Sequence, residues 1–463
     1  MAQRLDCIVQ GGLVVLPDRV EALDIGIHDG KIVALAPSLT DAQAERTIDA
    51  AGLYILPGAV DIHVHFNEPG LAAWEGFVSG SAALAAGGIT TYVDMPLNGV
   101  PPTTNRERLE LKQQAAQGNS YVDYALWGGL VAGNVHSLAG LAAGGVTGFK
   151  AFMSEPGGDG DDIFTRADEE TLAAGMQEIA RLGHVLALHA EDETIVAALA
   201  AQAQAEGRIG ELDYAHARPI AAEVQAVREA LRLGRETGCA LHFVHISSYE
   251  AVELITAAKV AGQDVTVETC PHYLVLTEQD LLHKGVVAKC APPLRSSAEQ
   301  ERLWGAVQAG MIDIVASDHS PCPPEMKLTD NFFQAWGGIS GAQSTLLLML
   351  EEAVHRRRIS LPTVMSMLAQ RPAERLGLAH CKGSIAVGMD ADLVLVDLSR
   401  GTVLAQEHLY DKHRQSPYIG YSFSSTIVGT LVRGITVYDE ATGLAAERVG
   451  RWIAYKPGGV TYG

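Results

Sequence analysis

The chain has 463 residues, 48% of them hydrophobic and 19% charged, a composition that supports a large core and excludes a disordered polymer. A formal net charge of −21 argues against nucleic acid and anionic membranes as partners, because both are bound through basic patches. The N-terminal residues Met1–Asp6 lack the apolar core of a signal peptide, and no stretch approaches the roughly 18 apolar residues of a membrane span. Six scattered cysteines without CxxC spacing read as reduced thiols, so the expected setting is the cytoplasm.

Residues 5–55 read as short strands with turns, such as Cys7-Ile8-Val9 and Ile25-Gly26-Ile27 before Asp29-Gly30. From Pro57 to about residue 375, β-rich apolar runs alternate with helix-forming stretches. Eight strands are expected: Ala59–His65, Ile89–Met95, Tyr121–Leu130, Val146–Met153, His184–His189, Leu241–Ile246, Asp264–Cys270 and Asp313–Asp318. Helices are expected over Glu170–Leu182, Ala221–Glu236 and Ser248–Ala261. Eight strand–helix repeats define an α/β fold, a (β/α)8 barrel of the TIM type. No glycine-rich dinucleotide turn follows the first strand, which weighs against an open doubly wound sheet. Residues 383–463 return to β character, as in Ala391–Asp397 and Thr430–Tyr438. The simplest packing joins residues 1–56 and 376–463 into one small composite β-sandwich domain beside a barrel of residues 57–375.

Six side chains able to bind or surround a metal stand near the carboxyl ends of those strands. His63 and His65 alternate along the first strand, and residues two apart point the same way. Lys150 closes the fourth strand, His189 the fifth, His245 the sixth and Asp318 the eighth. The active site of a barrel lies at that same end, so fold and chemistry agree. Four imidazoles, a lysine and an aspartate exceed the needs of one ion and point to two divalent ions about 3.5–4 Å apart. An ammonium cannot ligate, but a lysine of depressed pKa can add carbon dioxide to give an anionic, bridging carbamate. A salt-bridged or substrate-binding role for Lys150 is the alternative. With a hydroxide between the ions, Asp318 is the natural general base, moving a proton to the leaving nitrogen of a hydrolysed amide or imide. Zinc, cobalt, manganese and iron all accept such ligands. His272 and His319 read as supporting groups, and the Gly- and Asp-rich run from Ser154 to Asp162 as a lid or a flexible turn.

Pro57-Gly58-Ala59-Val60-Asp61-Ile62-His63-Val64-His65, followed by the lysine, the two single histidines and the aspartate in this order, resembles the cyclic amidohydrolases of the amidohydrolase superfamily. Glu68-Pro69-Gly70, Trp74-Glu75-Gly76, Met95-Pro96-Leu97-Asn98 and above all Ser317-Asp318-His319-Ser320-Pro321-Cys322-Pro323-Pro324-Glu325-Met326-Lys327 are similar to the allantoinase family. Trp336-Gly337-Gly338-Ile339 and Ser416-Pro417-Tyr418-Ile419-Gly420 support the same resemblance. It implies a two-metal site with zinc as the expected ion, carboxylated Lys150 as the bridge, allantoin as the small-molecule substrate and a homotetramer. Dihydroorotases carry an arginine where this chain has Asn67, so a substrate carboxylate loses its bidentate partner here. Ser320, two residues past Asp318, is expected to contact the substrate ring, with a turn-capping role before Pro321 as the alternative. Hydantoinases and dihydropyrimidinases acting on other cyclic ureides are the runner-up, and a catalytically silent scaffold barrel is the reading of a different class.

Overall fold

The computed structural model describes residues 4–158, 160, 162–456 and 459–462. Asp159 and Asp161, within the expected lid, lie outside the described residues.

Eight parallel strands form the barrel: Ala59–Val64, Ile89–Asp94, Asp123–Leu126 continued by Gly128–Gly129, Phe149–Phe152, Val185–His189, Ala240–Phe243, Val265–Thr269 and Ile314–Val315. The ring closes at two seams. Trp127 N–H donates to Asp94 O (3.1 Å) and Gly128 N–H to Gly148 O (2.9 Å), so the third strand serves both neighbours. His65 N–H donates to His319 O (2.8 Å), joining the eighth strand to the first. Inside, Val60, Ile62, Val93, Met95, Ala125, Trp127, Ala187, Val244, Ile314 and Ala316 are buried, and Trp127 Nε1–H anchors on Ile62 O (2.9 Å). This is a filled interior rather than a pore.

The helices start and stop where side chains can cap them. Glu169–Leu182 opens on Asp168, whose carboxylate accepts from Thr171 N–H, and ends on Gly183 at φ 70°. Tyr249–Val260 opens on Ser248, which accepts from Ala251 N–H. Expected and observed strands agree to within a few residues, with two exceptions that bear on function. Lys150 is the second residue of the fourth strand, not its last. The eighth strand ends at Val315, three residues before Asp318.

The two ends of the chain meet in one nine-stranded sheet, in which Leu393–Asp397 pairs antiparallel with Tyr54–Pro57. The expected single run Thr430–Tyr438 is instead a hairpin of Thr426–Val432 and Ile435–Asp439. Arg433 and Gly434 turn it with φ of 47° and 73°, the positive angles a two-residue hairpin loop demands. Among the described residues, no helix is long and apolar enough to cross a membrane.

Candidate metal centre

The first strand delivers His63 and His65 to the carboxyl end of the barrel with ring centroids 5.4 Å apart. Both converge on Asp318: His63 Nε2 lies 3.2 Å and His65 Nε2 3.4 Å from Asp318 Oδ1. The opposite nitrogen of each ring is held from outside. His63 Nδ1 is 2.7 Å from Glu268 Oε1, and His65 Nδ1 is 3.1 Å from Leu97 O. Such outward bonds fix the Nδ1–H tautomer and leave Nε2 as the inward lone pair, the form a metal needs.

His189 and His245 form the second half of the site. His189 Nδ1 stands 3.0 Å from His245 Nε2, while His189 Nε2 bonds Glu191 Oε2 at 2.8 Å. His245 Nδ1 is buried and has no partner. The ring of His245 is also 5.4 Å from that of His63, so both pairs share one space. His245 and Asp318 reach it through left-handed backbone, φ 40° and 47°, which non-glycine residues rarely adopt. Neighbouring bonds hold the turn at His245: its own N–H donates to Glu268 Oε1 (3.1 Å), and Ile246 N–H donates to Glu268 O (2.8 Å).

Lys150 rises from the fourth strand, fully buried, with Nζ unpartnered and 4.9 Å from the centre of the Phe152 ring. Burial pulls its pKa down to about 8, against the pull of Asp318 and Glu268 in the other direction. Burial opposes ionisation of Asp318 too, yet His63, His65 and His245 together hold its carboxyl well below the usual carboxylate range. The Asp318 side chain is 14% exposed, so it faces the mouth of the site.

An idle buried amine, an idle imidazole nitrogen and converging lone pairs fit divalent cations and an anionic bridge. As a purely structural cluster they would be costly.

Two supporting groups, Glu268 and Glu191, were not among the expected site residues. Glu268, fully buried, accepts from His63 and from His242 Nε2 (3.0 Å). Burial works against its charge, but those imidazoles bring its pKa down to about 2. Glu191 is likewise held at about 2 despite burial, by Arg218 and His189. Each acid was visible in sequence as a charge inside or just after an apolar run, the same signal that exposed the histidines. His319 belongs to the barrel seam, with Nε2 3.6 Å from Glu75 Oε2.

Two substrate-side expectations meet the geometry differently. Asn67, buried at φ 65°, is spent on loop contacts: its Oδ1 accepts from Asn98 Nδ2 (3.2 Å). Ser320 does not inherit the strand's alternation, because the chain turns at Asp318; its N–H donates to Ile339 O (3.1 Å).

A filled barrel with this cluster at its carboxyl end defines a class. The sequence matches the amidohydrolase family over residues 54–437, and the chain belongs to that family. The allantoinase of Solibacter usitatus is 49% identical over 439 residues, covering 94% of this chain and 95% of that one. The allantoinase of Rubrobacter xylanophilus is 50% identical over 434 residues, 94% of each. Among solved structures, the L-hydantoinase (dihydropyrimidinase) of Arthrobacter aurescens superposes with a TM-score of 0.94 at 35% identity, covering 97% of this chain and all of that one.

Proposed function

We propose that this amidohydrolase opens the hydantoin ring of allantoin by hydrolysis, giving allantoate. The convergence of His63 and His65 on Asp318, beside His189, His245 and an unpartnered Lys150, carries the reading. The allantoinase relatives, nearer in sequence than the hydantoinase of similar fold, favour allantoin over other cyclic ureides.

His63, His65 and Asp318 would hold one divalent ion and His189 and His245 the other, with carboxylated Lys150 between them; zinc suits this nitrogen and oxygen set. When bound, the pair would acidify a water and polarise the scissile carbonyl. The chain's own groups do the rest. Asp318, ionised and facing the mouth, accepts the proton of the attacking water and returns it to the departing ring nitrogen. Burial holds the pKa of His63 and His189 down and so keeps them neutral, against the opposite pull of Glu268 and Glu191, which orient the rings and make them electron-rich. The Ser320 hydroxyl hydrogen-bonds the substrate ring.

The test is turnover of allantoin beside hydantoin, dihydrouracil and dihydroorotate at equal concentration by metal-replete protein. Allantoin should dominate. Faster opening of hydantoin or dihydrouracil would transfer the site to those substrates, and no turnover of any would favour a silent scaffold.

A further inference from the structure

Asp318 also belongs to a second cluster. Ligand atoms of Cys270, His272 and Asp318 all lie within 4.8 Å of one another. A tetrahedral ion spaces its ligand atoms about 3.3–3.8 Å apart, within reach of small side-chain rotations from this arrangement. Cys270 and His272 directly follow the seventh strand, where Pro271 opens the short helix Pro271–Val275 and sets thiol and imidazole two residues apart at the site end of the barrel.

The imidazole is the informative member. His272 is fully buried, and neither ring nitrogen has a hydrogen-bond partner. Tyr273 packs its ring edge-on 4.2 Å away, but its hydroxyl is committed to Pro292 O (2.6 Å). Cys270 is fully buried as well. A thiol and an idle imidazole beside a carboxylate form a donor set for borderline and soft cations.

We propose that Cys270, His272 and Asp318 form a third metal site, selective for divalent ions softer than zinc, whose occupation inhibits the enzyme by restraining Asp318. Coordination breaks the Cys270 S–H bond and releases the proton to solvent, with no change of oxidation state. The inhibition rests on the role proposed above for Asp318; the binding does not.

Titration of the zinc-replete full chain with cadmium chloride tests it, read by equilibrium dialysis and by the ultraviolet absorption of a cadmium–thiolate bond. Wild type should take up one added equivalent, gain the band and lose allantoin turnover together. Cys270→Ser should erase the band, and both Cys270→Ser and His272→Asn should weaken the added equivalent by roughly tenfold or more. The residues proposed to hold the catalytic pair include no thiol, so cadmium exchanging there is silent in this absorption. Inhibition without the band, or a band unchanged in Cys270→Ser, would overturn the third site. A band and an added equivalent in a protein that never turns over allantoin would keep the site and overturn the proposed substrate instead.

Discussion

Lys150 and Lys382 are both fully buried, near opposite ends of the barrel strands, and their surroundings differ in kind. Lys382 donates to Asp123 Oδ2 and Asp392 Oδ2, each at 2.6 Å, and lies 3.0 Å from Asp390 Oδ2. Burial works against its charge, but those carboxylates raise its pKa well above that of a free lysine. Lys150 has no such partner, and burial takes it down to about 8. Burial therefore does not separate a structural lysine from a reactive one. The partner does: Lys382 is a permanent cation that ties Asp123, the first residue of the third barrel strand, to the segment entering the composite sheet. Lys150 is a buried amine without a partner, as the proposed carbamate requires.

Substitution should split the two. Lys150→Ala should cost about a thousandfold or more in kcat/KM, the scale of losing a principal electrostatic group. It should also lower bound metal and leave thermal stability unchanged or higher. Short-chain carboxylic acids should restore part of the activity by supplying the missing anion; full activity without them would refute a bridging role. Lys382→Met should do the reverse. Stranding three buried carboxylates should destabilise the fold by about 3–5 kcal/mol in denaturant titration, while the molecules that remain folded keep their kcat/KM.

Glu268→Gln should fall between them. The amide cannot hold the His63 imidazole as a carboxylate does, so metal affinity should drop about 10- to 100-fold in chelator competition. The smallest change belongs to Ser320→Ala. Loss of one hydrogen bond of about 1 kcal/mol should lower kcat/KM for allantoin about fivefold with no change in melting temperature. No change in kcat/KM would remove Ser320 from the substrate contacts.

The legibility of these features in sequence follows from their physics. His63-Val64-His65 was readable because an apolar strand ending in paired imidazoles is expensive without a shared purpose, and the structure sets both rings against Asp318. The strands Ile89–Asp94 and Val185–His189 were readable to the residue or nearly so, since buried parallel strands are unbroken apolar runs bounded by helix caps. The run Asp313–Asp318 misled in one respect. Its last residues leave the ladder through left-handed backbone at Asp318, which no apolar pattern announces, so strand alternation does not carry over to Ser320. Glu191, two residues past His189, and Glu268, at the end of an apolar run, both carried a sequence signal, but the partner of Glu268 is His63, 205 positions away, and that pairing shows only in the folded chain. The pairing of Lys382 with Asp123 spans 259 positions and becomes visible only once the barrel is closed.

The contrast between the two lysines can be measured directly. Protein reconstituted with zinc and isotope-labelled bicarbonate should show one carbamate carbon resonance by NMR, present in wild type and in Lys382→Met but absent from Lys150→Ala. A wild-type spectrum without that resonance, in protein that opens allantoin at full rate, would contradict the account of Lys150.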